Sequence, residues 1–241
     1  MIEYLAETGS TSSDLAERLR GGELVPDGHW LVADRQTAGR GRQGRTWLDA
    51  AGNFMGSTVL HLRDGDPPAP GLALVAGLAV HAAVARRLPD DAEVRLKWPN
   101  DVMLAGAKLA GILLERVGDS VVIGIGANLV AAPRVDGRDT AALLSPESDA
   151  PDRDGFAADL ARQFVDELER WRTFGLEPVR SRWLAVAHPL GTALTVDVPG
   201  EGLLAGAFAG LADDGSLQLR AADGKTRLIQ AGDVRLPLPE A

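Results

Sequence analysis

A short segment rich in arginine and glycine, residues 39–45, carries the strongest chemical signal in this chain. It reads Gly-Arg-Gly-Arg-Gln-Gly-Arg, and no acidic residue lies between Asp34 and Asp49. Guanidinium groups bind phosphate and carboxylate through forked hydrogen bonds, and glycines let backbone amides approach a ligand. The segment therefore predicts a loop that binds a phosphorylated or carboxylated ligand and becomes ordered when that ligand neutralises it. A solvated surface loop is the alternative.

The same segment matches the Gly-x-Gly-x-x-Gly pattern of dinucleotide-binding turns, but its context does not fit. Such a turn must open a helix. Residues 46–53 (Thr-Trp-Leu-Asp-Ala-Ala-Gly-Asn) show no amphipathic helical pattern. We therefore do not expect a dinucleotide-binding fold.

A second candidate site surrounds a Pro-Asn-Asp turn at residues 99–101. The chain has only three lysines, and two of them, Lys97 and Lys108, flank this turn. A lysine is a compact point charge on a flexible stem, which arginine does not replace at a reacting centre. We expect Lys108 to begin an apolar strand and to direct its ammonium group into a pocket, where Gly111 permits close approach. A tight hairpin whose lysine has no functional role is the alternative.

Two weaker signals accompany these motifs. Residues 124–128 form a strand of small residues that ends in Asn128, which is typical of a site but also of ordinary strand ends. Residues 10–13 (Ser-Thr-Ser-Ser) precede a helix, and Ser12 or Ser13 can cap it. Neither feature predicts a function by itself.

Periodicity predicts an α+β chain in which helices pack on a mixed sheet, followed from about residue 188 by a small β-barrel. Helices are predicted over residues 11–20, 71–88, 156–174 and 177–186. Strands are predicted over residues 29–34, 53–62, 94–98, 102–104, 109–116 and 121–130, and in the barrel over 193–198, 203–211, 217–220 and 227–229. The polar segment 134–154 is predicted to be a loop.

Composition excludes several functional classes. The 241 residues include no cysteine and carry a net charge of −9. Disulfides and cysteine chemistry are excluded, and a general affinity for nucleic acid is not expected. The four histidines are far apart and predict no metal site. No long apolar run or signal peptide is present, so we expect a cytoplasmic protein without a membrane span.

The motifs together resemble those of biotin–protein ligases, and the resemblance covers nearly the whole chain. The matching segments are residues 10–12, 36–47, 52–54, 97–101 (Lys-Trp-Pro-Asn-Asp), 108–115 and 124–128, in the order seen in that family. The arginine–glycine segment combined with Lys-Trp-Pro-Asn-Asp is highly specific. The resemblance implies a catalytic domain like that of class II aminoacyl-tRNA synthetases over residues 1–187 and an SH3-like barrel over residues 188–241.

The resemblance also implies which residues handle biotin, ATP and the biotinyl-5′-AMP formed from them. The residues implied to contact biotin or the adenylate are Ser10, Thr11, Ser12, Gln36, Arg40, Gly41, Arg42, Trp47, Lys108, Gly111 and Asn128. Lys108, Arg42 and Arg40 are expected to be catalytic, because they offset the charge that develops when two anions react. Asn100 and Asp101 are weaker candidates, with Asp101 considered as the base for the acceptor amine. Mg²⁺ is expected to arrive on the nucleotide phosphates, without a metal site in the protein.

The implied partner is the biotin carboxyl carrier protein of acetyl-CoA carboxylase or of a related carboxylase. DNA binding through the helix-turn-helix domain of some family members is not expected, because the catalytic pattern begins almost at Met1. The choice between monomer and homodimer is left open. Two departures from the family pattern concern the biotin pocket: Ser12 stands where asparagine is frequent, and Phe54-Met55 where a Leu-Tyr type of pair is usual.

Two other functions are kept as alternatives. A lipoate or octanoate ligase or transferase shares the fold type, but transferases of that group often use a cysteine, and its ligases lack the arginine–glycine loop in this form. A non-catalytic module that binds biotin or its adenylate is disfavoured by the presence of Lys108 and Arg42.

Overall fold

The computed structural model describes residues 1–144 and 152–236, and in these ranges the chain forms two sheets and four α-helices. The elements in chain order are β1 (Ile2–Thr8), α1 (Thr11–Arg20), β2 (Trp30–Gln36), β3 (Phe54–His61), α2 (Leu72–Ala85), β4 (Val94–Lys97), β5 (Asp101–Leu104), β6 (Ala107–Val117), β7 (Ser120–Ala127), α3 (Arg153–Phe174), α4 (Leu176–Ala185), β8 (Ala193–Val198), β9 (Gly202–Leu211), β10 (Leu217–Arg220), β11 (Thr226–Ile229) and β12 (Asp233–Arg235). Part of the predicted loop, 145–151, and the last five residues of the predicted barrel lie outside the described residues. None of the described helices is long and apolar enough to cross a membrane.

Seven strands form one mixed sheet in the order β1-β2-β3-β7-β6-β5-β4. β1 and β2 are parallel, and the other neighbouring pairs are antiparallel. The strands predicted for this part of the chain are confirmed, but β1 is an additional strand. It lies at the edge of the sheet with residues such as Tyr4 exposed, so its sequence lacks the apolar alternation of a half-buried strand.

Helices cover both faces of this sheet. α1 packs on one face, where Leu15 and Ala16 contact Leu31 and Val59. α2 is apolar all round and mostly buried on the opposite face, as its sequence predicts. α3 covers the same face as α2 with the predicted stripe, which includes Phe156, Leu160, Phe164, Leu168 and Trp171. α2 and α3 thus cover one face of the sheet. On the other face, polar side chains can lie on the sheet beyond the end of α1.

The remaining five strands form an antiparallel sheet in the order β11-β10-β9-β8-β12, consistent with an SH3-like domain. Leu194 and Phe208 of this sheet belong to the same buried cluster as Trp98, which follows β4. The Trp98 indole also donates a hydrogen bond to the carbonyl of Gly215 at 3.1 Å. The two sheets thus share one hydrophobic core, and the domain boundary at residue 187 stays a prediction.

Candidate active site

One row of residues crosses the α1 face of the seven-stranded sheet and forms the floor of the candidate site. Backbone pairing places Met55 (β3), Gly126 (β7), Gly111 (β6), Asp101 (β5) and Lys97 (β4) opposite one another in succession. Directly opposed residues share a face of the sheet. The two central glycines leave the middle of the floor without side chains, while two charged residues lie at one end of it.

The indole ring of Trp47 lies on this glycine floor. A β-carbon at Gly126 would come within 2.2 Å of the ring, and one at Gly111 within 3.2 Å. The Lys108 ammonium lies over the ring, 5.8 Å from its centroid. Three of the predicted site residues, Trp47, Gly111 and Lys108, are therefore neighbours. The Trp47 ring itself covers the middle of the floor.

A pocket of hydroxyl and amide groups lies beside the floor, where Ser57 of β3 pairs with Gly124 of β7. The hydroxyl of Ser57 is 2.7 Å from that of Thr11 and 2.9 Å from that of Ser12. The side-chain oxygen of Gln36 accepts the backbone N–H of Thr11 at 2.7 Å. All of these polar side chains are buried, and a β-carbon at Gly124 would be 2.3 Å from the Ser12 hydroxyl. We name this group the hydroxyl pocket.

The start of α1 differs from its predicted cap. The N-cap residue is Ser10, and its side chain makes no capping hydrogen bond. The prediction that Ser12 or Ser13 caps the helix is therefore wrong. Ser12 lies in the first turn, and its hydroxyl turns towards Ser57 instead. Thr11 and Ser12 thus present their hydroxyls to the sheet, which is why they line the hydroxyl pocket.

Two lysines converge on one carboxylate at the charged end of the floor. Asp101 receives Lys97 on Oδ2 at 2.9 Å and Lys108 on Oδ1 at 2.5 Å, and the three side chains are only 8–13% exposed. Burial raises the pKa of Asp101, but the two ammonium groups outweigh burial and hold this pKa well below its usual value. Burial lowers the pKa of Lys108, which Asp101 partly offsets. β4 and β5 do form a tight hairpin, Lys108 is buried beside it, and a functional role for Lys108 stays a prediction.

The arginine–glycine segment folds back on itself above this end of the site. The amide of Gly41 donates to the carbonyl of Arg45 at 2.7 Å, which closes the loop. Arg40 pairs with Glu115 of β6 at 2.8 Å. Arg42 is partly buried and donates to Asn100 at 3.2 Å. Two arginines of the segment are thus held against β6 and against the Pro-Asn-Asp turn.

The C-terminal sheet also holds this segment. Arg45 pairs with Asp233 of β12 at 2.7 Å, and Arg42 donates to the carbonyl of Gly232 at 3.4 Å. Burial lowers the pKa of Arg42, and Asp233 offsets part of that effect. Lys97 donates to the carbonyl of the neighbouring Val234 at 3.1 Å. The second sheet therefore contacts both cationic parts of the site.

Asn128 is buried beneath Lys108 rather than beside the hydroxyl pocket. Its side-chain nitrogen donates to the carbonyl of Ala141 at 3.0 Å, and its oxygen is 3.4 Å from the amide of Asn53. The backbone N–H of Ala141 in turn donates to the carbonyl of Lys108 at 2.9 Å. Asn128 thus supports the backbone that carries Lys108, and its contact with a nucleotide stays a prediction.

Sequence patterns did not identify every residue at the site. Ser57 lies in a strand with few polar residues, and its alternation with Met55 was the only signal that it faces the site. Gly126 belongs to a recognised segment, but only the register shows that it carries the Trp47 ring. Asp233 reaches the site from another sheet, and no local pattern could assign it.

The fold and the site define an α+β protein that can activate a small organic acid. The hydroxyl pocket offers hydrogen-bond donors and acceptors to a neutral polar group, the glycine floor under Trp47 is apolar, and Lys108 and Arg42 offer positive charge to an anion. Within residues 1–144 and 152–236, no cluster of three or more His, Asp or Glu side chains could hold a metal ion. Lys97, Lys108 and Arg42 place positive charge at this end of the site, which suits a co-substrate that carries phosphate groups.

Comparisons with known proteins agree with this class. The sequence model of the Biotin/lipoate A/B protein ligase family matches residues 7–128. The biotin–[acetyl-CoA-carboxylase] ligase of Paracoccus denitrificans is 38% identical over 243 residues, which cover 95% of this chain and 98% of that protein. The ligase of the same name from Mycobacterium tuberculosis is 38% identical over 236 residues, with coverages of 97% and 88%.

A solved structure shares the fold over nearly the whole chain. Biotin protein ligase from Aquifex aeolicus, in complex with biotin and ATP, matches with a TM-score of 0.84 at 28% identity, covering 98% of this chain and 99% of that one. The chain belongs to the biotin/lipoate A/B protein ligase family. The resemblance to biotin–protein ligases and the expected α+β fold are both confirmed.

Proposed function

We propose that this protein is an ATP-dependent biotin–protein ligase that transfers biotin to a lysine of a biotin carboxyl carrier protein. The observation that carries the proposal is the position of the hydroxyl pocket and of Lys108 on one glycine-floored face. Biotin has two matching ends, a neutral ureido ring and a carboxylate, joined by an aliphatic chain. The Aquifex relative binds biotin and ATP, and the two curated relatives are named for acetyl-CoA carboxylase.

The ureido ring is proposed to bind in the hydroxyl pocket. Its carbonyl accepts and its two N–H groups donate, which matches the hydroxyls of Thr11, Ser12 and Ser57 and the amide of Gln36. Because Ser12 already has Ser57 as a buried partner, the serine is supported in place of the frequent asparagine. Ser10 is buried at the same end of α1 and completes the set.

The aliphatic chain of biotin is proposed to lie on Gly111 and Gly126, with Trp47 as the movable wall. Of the pair that departs from the family pattern, only Met55 faces this space. Phe54 packs with Phe156 at a centroid distance of 5.2 Å on the opposite face of the sheet. The departure at Phe54 is thus a change in the core, and Met55 supplies the apolar side of the pocket.

Adenylation follows from the charges at the end of the floor. A carboxylate oxygen of biotin attacks the α-phosphorus of ATP, a new O–P bond forms, and pyrophosphate leaves with the bridging oxygen. Lys108 and the loop that carries Arg40 and Arg42 offset the repulsion between the two anions and the charge that develops at phosphorus. Mg²⁺ enters as part of the Mg-ATP substrate, since magnesium binds mainly through phosphate oxygens.

Transfer then uses the mixed anhydride. The amine of the carrier lysine attacks the carbonyl carbon of biotin, an amide bond forms, AMP leaves, and the amine loses a proton. Asp101 is occupied by two ammonium groups, and its lowered pKa makes it a weak base. We therefore assign Asp101 as an ion-pair partner of Lys108 rather than as a base. The loop over the adenylate excludes water and so limits hydrolysis.

The experiment that tests the function is incubation with labelled biotin, Mg-ATP and a purified carrier domain of acetyl-CoA carboxylase, with lipoate and octanoate as competitors. ATP-dependent labelling of the carrier lysine that neither competitor reduces supports the proposal. Adenylate without transfer would indicate a binding or half-reaction protein. Absence of biotinyl adenylate, with lipoyl or octanoyl transfer instead, would assign the chain to the other branch of the family.

A further inference from the structure

Lys97 is the last residue of the floor row, and sequence patterns give it no role beyond flanking a turn. Its ammonium group makes two contacts, one with Asp101 Oδ2 at 2.9 Å and one with the carbonyl of Val234 at 3.1 Å. Its side chain is 11% exposed. Burying an ammonium group costs free energy unless the group is paired, so the presence of a second buried lysine at this site needs a physical explanation.

The charge balance at Asp101 supplies that reason. Asp101 and Lys108 alone would form a neutral buried pair, in which the carboxylate competes with any other anion for Lys108. Lys97 adds a second ammonium group on the other carboxylate oxygen, so the three groups together carry one net positive charge. That charge is available to an incoming anion, because Asp101 keeps a partner when Lys108 turns to the ligand.

We propose that Lys97 is a positioning residue, which neutralises Asp101 so that Lys108 can bind the carboxylate and phosphate groups of the substrates. The role rests on the proposed function, since it concerns the same site. The hydrogen bond to Val234 holds the Lys97 ammonium on the Oδ2 side of Asp101. The C-terminal sheet thereby contributes to the charge at Lys108 without touching a substrate.

A double-mutant cycle tests the proposal. Lys97→Met removes the charge and keeps the apolar stem, so Asp101 and Lys108 become a neutral pair. We expect the KM for biotin in adenylate formation to rise by roughly 30-fold, the scale of losing one partner of a buried charge pair. Adding Asp101→Asn restores one net positive charge, and we expect the double variant to recover most of the lost affinity. Lys97→Arg, which keeps the positive charge, is expected to retain part of the affinity for biotin.

The opposite pattern would overturn the proposal. If Lys97 only ties the two sheets together through Val234, the double variant will be at least as impaired as Lys97→Met, and the apparent kcat will fall with the amount of folded protein while KM stays unchanged. Thermal unfolding of each variant measures that loss. Lys225→Met is the matched control, because it removes the same charge from a side chain that is 83% exposed, and it is expected to leave KM unchanged.

Pyrophosphate binding separates this inference from the proposed function. Calorimetry with pyrophosphate reports the anion affinity of Lys108 whether or not the protein uses biotin. Weaker binding by Lys97→Met and recovery in the double variant support the charge role even if the wild-type protein forms no biotinyl adenylate. Equal pyrophosphate binding by wild type and Lys97→Met would contradict the proposed role of Lys97. Carrier labelling by the wild type would still support the ligase function in that case.

Discussion

The ring of Trp47 lies directly on the backbone of Gly126, so close that a β-carbon at position 126 would be 2.2 Å from it. Trp47 belongs to the segment that follows the arginine–glycine loop, and Gly126 belongs to a central strand. Because the contact depends on the absence of a side chain, it links the position of a loop to the identity of one residue in the sheet.

Gly126→Ala is therefore expected to displace Trp47 and the loop before it. Biotin affinity should fall by about tenfold or more, since the new methyl group occupies the floor and overpacking of this size costs about 1–3 kcal/mol. Isothermal titration with biotin measures the change. Gly77→Ala in α2 is the control, because its added β-carbon would meet side chains at an ordinary 3.5 Å or more. Equal loss in both variants would contradict the assignment of the floor.

Lys108→Ala is expected to slow adenylate formation by about 10²–10³-fold, the usual effect of removing one group that stabilises charge in a transition state. Single-turnover release of pyrophosphate measures it. The variant also leaves Asp101 with only Lys97 as a partner, so its thermal stability must be compared with that of the wild type. A folded variant with near-normal adenylation would rule out the role of Lys108.

Ser57→Ala is expected to weaken biotin binding by roughly five- to tenfold, the scale of one net hydrogen bond, because Thr11 and Ser12 lose a buried partner. ATP affinity should not change. Thr58→Val tests the adjacent position on the other face of β3, where the hydroxyl donates to the carbonyl of His29 at 2.8 Å. Thr58→Val is expected to lower stability without lowering biotin affinity. Loss of biotin affinity in Thr58→Val but not in Ser57→Ala would contradict the assignment of the hydroxyl pocket.

Asp233→Asn removes the carboxylate that pairs with Arg45. We expect this change to expose the arginine–glycine loop to proteolysis. Trypsin should then cut after the arginines of the loop about two- to fivefold faster, since an exposed ion pair is worth up to about 1 kcal/mol. Mass spectrometry of the fragments over time gives the rate. Asp223→Asn is the control, because its partner Lys225 lies 4.0 Å away in an exposed turn of the same sheet. Identical rates in the two variants would show that Asp233 does not hold the loop.

Glu3, on the edge strand β1, makes the free energy of unfolding depend on pH in the acid range. Hydrogen bonds from Arg18 lower the pKa of Glu3 from 4.5 to about 2, against the opposing effect of burial. A lowered pKa in the folded state stabilises the fold above the unfolded pKa, and this contribution is lost as the pH falls from about 4.5 through about 2. Glu3→Gln should therefore lower the free energy of unfolding at pH 6 and have little effect near pH 2.

Urea unfolding at pH 6, 4 and 2 measures that dependence. Glu7→Gln on the same strand is the comparison, since the carboxylate of Glu7 is 3.7 Å from Arg35 and its side chain is 56% exposed. We expect only a small change from it at any pH. A Glu3→Gln effect that stays constant from pH 6 to pH 2 would show that the carboxylate charge is not the cause.

Much of the candidate site could be predicted from local sequence. The arginine–glycine loop and the Lys97–Asp101 turn are contiguous segments, so their residue types and their charge are evident without knowledge of the fold. The buried helices α2 and α3 likewise follow from their own periodicity. The edge strand β1, whose residues stay partly exposed, and the three-residue strand β12 have no such local signal.

Tertiary structure alone decided how these segments meet. The alignment of Met55, Gly126, Gly111 and Asp101 depends on hydrogen-bond register between strands far apart in the chain, and a slip of one residue would turn the glycines to the other face. The same holds for Ser57 behind the serine segment. Sequence determined which chemical groups are present, and the register of the sheet decided which of them share one face, because side-chain direction in a strand is set by pairing rather than by the residue itself.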